Sequence, residues 1–156
     1  MSDNKKDYTS VLNNLIETCK DGEEGFRQAS DGTKTADLRA VFNEYSRQRA
    51  EFASELQREV AKLGAEPEKS GSVTGSLHRG WMNIKTAVTG KDDQAILNEA
   101  ERGEDAAVSA YKDALTKELP TQLQSEINRQ YRQIQEAHNQ IRSLRDGVRS
   151  LAGARH

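Results

Sequence analysis

Apolar residues recur along this chain at intervals of three and four over four long stretches, the spacing of helices that bury one face. The first predicted helix runs from Asp7 or Ser10 to about Ser30, with Leu12, Leu15, Ile16, Cys19, Glu23, Phe26 and Ala29 on one stripe. Asp31-Gly32-Thr33 then breaks it with turn chemistry. The second helix starts at a cap, Thr35 or Asp37, and reaches Leu63 through Leu38, Phe42, Tyr45, Arg49, Phe52, Leu56 and Val60. Gly64 suits its C-terminal turn and Pro67 its stop. The third is predicted from Asp92 or Asp93 to about Glu118, with Leu97, Glu101, Glu104, Val108, Tyr111 and Leu115 in register. The fourth begins at Thr121 and carries Leu123, Ile127, Tyr131, Ile134, His138, Ile141, Leu144 and Val148.

Between the second and third helices lies a connection too long to be wholly irregular in a compact domain. Val73, Leu77, Trp81, Ile84 and Val88 make one helical face, so a shorter helix is expected over 72–89, weakened by Gly75 and Gly80 and ended by Gly90. Trp81 anchors it on its neighbours or, with His78, marks a ligand surface. The flanking loops are short, so helices one and two, and three and four, are antiparallel neighbours. The long connection lets the second pair start at the opposite end. These rules predict an all-α four-helix bundle with one long crossover, a single domain over 1–150, and a basic tail over 151–156. A short echo, Gly22-Glu23-Glu24 against Gly103-Glu104-Asp105, fits two matched hairpins. Gly22 and Gly25 inside the first helix indicate close approach by a neighbour, or a bulge that re-aims Glu23.

Polar residues interrupt the stripes near the helix middles: Glu23, Arg49, Glu101, Glu104 and His138, flanked by Gln48, Glu51 and Gln135. A buried carboxylate must be paired, hydrogen-bonded, protonated or bound to metal, because removing its water is costly. Two answers are open. Arg49 can neutralise the carboxylates through its planar fork. Alternatively, a bound metal ion can neutralise them.

The runs IETCKDGEEGF, SGSVTGSLHRGWMNIK, ERGEDAA and EAHNQIRSLRD resemble a bacterial ferritin-like four-helix-bundle family known only as a domain of unknown function. The resemblance implies the ferritin-like fold, with Glu23, Glu104 and His138 at the positions of the first-, third- and fourth-helix ligands. In di-iron members two helices give one Glu each and two give Glu-x-x-His. Here the fourth helix reads Gln135-x-x-His138 and the second has no histidine, so the two-metal set is incomplete. The leading expectation is a non-enzymatic structural or interaction protein, with a stress-related role by family analogy, no cofactor and no catalytic residue. The alternative that the resemblance implies is an Fe- or Mn-binding protein that stores iron or reduces an oxidant at Glu23, Glu104 and His138, with Glu101 and Glu51 assisting.

Composition trims the other possibilities. A net charge of −2 with both signs interspersed sets up no basic field for nucleic acid. Arg142, Arg145, Arg149 and Arg155 read as a solvated helix C-terminus or an anion patch. A single cysteine allows no internal disulfide, which points to a reducing, cytoplasmic setting. With no apolar run of membrane-spanning length, the expected partner is another protein or a second copy of the chain. Cys19 reads as a small buried hydrophobe.

Overall fold

A computed structural model describes residues 2–68, 80–90 and 92–154, with side chains over 7–68, 80–90 and 92–148. Among these the structure is all-α: α1 (Ser2–Gly32), α2 (Ala36–Lys62), α3 (Ile84–Thr89), α4 (Asp93–Leu115) and α5 (Thr121–Ala154). No described helix is long and apolar enough to cross a membrane. His78, Gly75, Val73 and Leu77, and the side chains of Arg149 and Arg155, lie outside the described residues.

Local chemistry sets the helix ends. The Asp92 side chain caps α4 by accepting from the Gln94 N–H at 3.0 Å. α2 closes in a Schellman turn: Gly64, at φ +79°, donates to the Ala61 carbonyl, and Ala65 donates to that of Val60. Thr35 precedes α2 in extended conformation without capping it. Its hydroxyl instead donates to Asp93 Oδ2 at 2.5 Å, while Thr33 Oγ1 donates to Oδ1 at 2.6 Å, tying the α1–α2 loop to the start of α4. α4 stops at Leu115, ahead of the Glu118 limit, and α5 stays helical through Ala154, into the segment expected as a basic tail over 151–156.

The four long helices pack as a ring in the order α2, α1, α4, α5, and α3 lies against α1 and α4. Cross-helix contacts give the directions. Ser30 meets Asn43 while Ser46 meets the Glu23 carbonyl, so α1 and α2 are antiparallel. Thr33–Asp93 and Cys19–Tyr111 make α1 antiparallel to α4. Asp105–His138 and Tyr111–Gln130 do the same for α4 and α5, and Tyr45–Gln140 and Phe52–Gln130 for α2 and α5. α2 and α4 thus run parallel, facing each other across a diagonal. The connection between them returns the chain to the end at which α2 began.

The core is in two parts. One, built on Leu12, Leu15, Ile16, Phe52, Leu56, Tyr111 and Ile127, fills the end holding the α4–α5 loop. The other, built on Phe26, Phe42, Tyr45, Trp81, Ile96, Leu97 and Ile141, fills the end holding the α1–α2 loop. On α1 the break falls between Cys19 and Phe26, on α2 between Tyr45 and Phe52, and on α4 between Ala100 and Ala107. Gly22, Arg49 and Glu104 occupy those breaks.

Trp81 is not on the crossover helix. Gly80, at φ +95°, turns the backbone away from helical geometry, and Trp81 enters the interior one residue later, ahead of α3. Its ring is buried against Phe26 with centroids 4.8 Å apart, edge to face. This is the anchoring role. On the expected helical face only Ile84 and Val88 lie within α3.

Candidate functional site

Arg49 and Glu104 form the centre of the polar layer. Neither α2 nor α4 touches the other along its backbone, so the guanidinium reaches across the diagonal of the ring. Nη1 donates to Glu104 Oε1 at 2.6 Å and Nη2 to Oε2 at 2.7 Å, a bidentate fork between side chains 1% and 0% exposed. Nε donates to Gln48 Oε1 at 3.2 Å. The guanidinium carbon lies 5.4 Å from the centroid of the Phe26 ring. Burial works against the charge on Arg49, and the Glu104 carboxylate outweighs it, so the guanidinium holds its proton more tightly than usual.

Gly22 borders this fork: a Cβ there would lie 3.4 Å from both Cγ and Nη1 of Arg49, ordinary van der Waals contact. The helical phase of α1 runs Cys19, Gly22, Phe26, Ala29, so the layer position belongs to the glycine, not to Glu23. Glu23 is therefore a correction to the expected layer: it is turned to the half-exposed side of α1, where its Oε1 meets Lys20 Nζ at 3.3 Å. Glu51 is exposed and also outside the layer, because its neighbour Phe52 takes the inward position.

Below the ion pair runs a buried hydrogen-bonded chain. Cys19 Sγ lies 3.1 Å from the Tyr111 hydroxyl, which lies 2.6 Å from Gln130 Oε1, and Gln130 Nε2 donates to the Phe52 carbonyl. Burial pushes the Cys19 thiol up to about 11 and the Tyr111 phenol well above its ordinary value. Both stay protonated at neutral pH, so neither is a nucleophile or a base there. Every buried side-chain nitrogen and oxygen among the described residues has a partner.

Glu101 and His138 belong to a different place, the outer seam between α4 and α5. Glu101 Oε2 accepts from Arg145 Nη1, and its Oε1 lies 3.6 Å from Arg142 Nε. His138 Nε2 lies 2.5 Å from Oδ1 of the exposed Asp105. One ligand atom each from Glu101, Asp105 and His138 lie within 4.8 Å of one another. Gln135 is spent on Tyr131, its amide donating to the phenol oxygen at 2.9 Å.

These side chains do not fit a two-metal centre. Both oxygens of the carboxylate at the layer are engaged by a guanidinium that cannot be deprotonated, Glu23 and Glu51 point away, and the one histidine among the described residues sits at the seam with Asp105. The seam set has ligand spacing for one divalent ion, although arginines compete for Glu101.

Sequence reasoning missed Gln130, Asp105 and the inward role of Gly22. Gln130 did carry a signal, since it lies three residues after Ile127 and four before Ile134. Asp105 lies four after Glu101, on the same helical flank. Arg145, expected in a solvated helix C-terminus or an anion patch, is the partner of Glu101.

Residues 7–117 match a family described as Domain of unknown function (DUF2383). The match runs from α1 to just past α4 and includes Arg49, Glu104, Glu101, Asp105 and Trp81, but not His138 or Arg145 on α5. Among curated proteins, none matches the chain.

Proposed function

Because the chain belongs to the DUF2383 family, whose function is unknown, we propose a role from geometry: a ferritin-like four-helix bundle in which a fixed ion pair stands where relatives of that fold hold metal. It acts as a non-enzymatic scaffold or interaction protein, meeting another protein or a second copy of itself. Two antiparallel hairpins joined by a long connection support the ferritin-like part. The observation that carries the rest is the buried bidentate fork from Arg49 to Glu104. A guanidinium supplies a permanent positive charge without open coordination positions or a second oxidation state. A carboxylate held this way has its two oxygens already occupied, and prising it free leaves a buried cation unpaired.

The test is metal analysis of protein purified without a histidine tag, followed by anaerobic titration with Fe(II) and Mn(II). The expected result is no stoichiometric ion, with a melting temperature that added Fe(II) or Mn(II) leaves unchanged. Stoichiometric uptake abolished by Glu104→Ala overturns the proposal.

The spacing of Glu101, Asp105 and His138 favours a second reading, one divalent ion at the α4–α5 seam. Arg145 already reaches Asp146 through Nη2 at 3.0 Å, so it keeps an anion if it releases Glu101. Uptake lost in His138→Ala but retained in Glu104→Ala assigns the ion to the seam and leaves the core ion pair in place.

A further inference from the structure

Three glycines strip the α1–α4 face of side chains next to the ion pair. Gly22 borders Arg49, Gly25 lies one turn further along α1, and Gly103 directly precedes Glu104. One residue fills the space left by Gly25 and Gly103. A Cβ on Gly25 would come within 2.3 Å of the Trp81 ring and one on Gly103 within 2.1 Å, so the indole is clamped between two helix backbones. Trp81 touches Phe26 edge to face, and Phe26 lies under the Arg49 guanidinium. The strap that carries it is seated on α4: a Cβ on Gly80 would meet the Arg102 carbonyl oxygen at 2.3 Å, and the Asn83 N–H donates to the buried Glu99.

We infer that Trp81 is a plug in a glycine-walled passage from the α1–α4 face to the polar layer, and that its seating keeps the Arg49–Glu104 pair dry. The strap at 80–90 thereby controls the dielectric around the pair, and an opened strap admits water and small ions to it. Trp81 is a positioning residue. It touches neither charged group through a hydrogen bond, and acts by excluding solvent that would screen them. This inference rests on the ion-pair reading above and deepens it.

The test is a set of denaturant unfolding curves. Glu104→Gln is introduced into the natural background, into Trp81→Phe and into Trp81→Ala. If Trp81 keeps the pair dry, the factor by which Glu104→Gln raises the unfolding constant shrinks by roughly fivefold when the indole is removed, since water then solvates the abandoned guanidinium. Trp81→Phe falls between. An equal factor in all three backgrounds shows that Trp81 only packs, and overturns the inference. Should Trp81→Ala not fold, the Trp81→Phe comparison decides alone. Acrylamide quenching is an independent measurement, because the chain has a single tryptophan. Native protein quenched as readily as free indole means that the plug is not seated, and also overturns the inference. A negligible effect of Glu104→Gln in the natural background refutes instead the ion-pair reading on which this rests.

Discussion

Arg49→Met is the most direct perturbation of the layer. Methionine is unbranched and reaches nearly as far, so the change removes charge and hydrogen bonds and opens little cavity. Two unit charges about 4 Å apart attract by about 4 kcal/mol at an effective dielectric of about 20. Taking both ions from water costs several kcal/mol each, so the intact pair is close to break-even against an apolar replacement. The single variant is different. It leaves Glu104, 0% exposed, ionised with no counter-charge, and breaking a buried pair costs about 3–5 kcal/mol. For a chain of this size 1 kcal/mol moves the melting temperature by about 2–4 °C, so Arg49→Met is expected to melt roughly 6–20 °C lower at neutral pH. Adding Glu104→Met or Glu104→Gln in the same chain recovers most of the loss, because no charge is then stranded. Calorimetry or thermal circular dichroism at neutral pH reads this out. A single variant that melts with the natural protein, or a double variant worse than the sum of its parts, refutes the reasoning.

Glycine placement gives a contrasting pair. Gly103→Ala is expected to destabilise despite its better helix propensity, since the new Cβ meets the Trp81 indole, whereas Gly147→Ala, with open space around it, should gain about 0.5–1 kcal/mol. Denaturant midpoints separate the two. Cys19 is buried with its thiol raised to about 11, so alkylation at pH 8 is expected to follow the unfolding rate; rapid labelling of native protein contradicts the buried chain to Tyr111. Asp93 is partly buried, which opposes its charge, but hydrogen bonds from Thr33 and Thr35 prevail and lower its pKa. Its contribution is present above the unfolded aspartate pKa of about 3.9 and lost as pH falls through the lower folded value. The gap in stability between Asp93→Asn and the natural protein should therefore be widest near neutrality and narrow below about pH 4, as urea melts at both pH values would show.

Periodicity alone determined the number, order and inward stripes of the long helices, because burying an apolar face is a local demand written at three- and four-residue spacing. It also singled out Arg49 and Glu104, since a charge on an otherwise apolar stripe is conspicuous before any neighbour is known. Which charges meet was decided by the tertiary structure. A stripe is some 100° wide, and a rotation of one residue sends Glu23 to Lys20 while Gly22 takes the layer. A glycine offers no side chain for a pattern to register, so the spaces at Gly25 and Gly103 acquire meaning only once Trp81 arrives from a distant part of the chain. The same holds for Glu101 and His138, each drawn to a neighbour on the α4–α5 seam that no one-dimensional spacing relates to it.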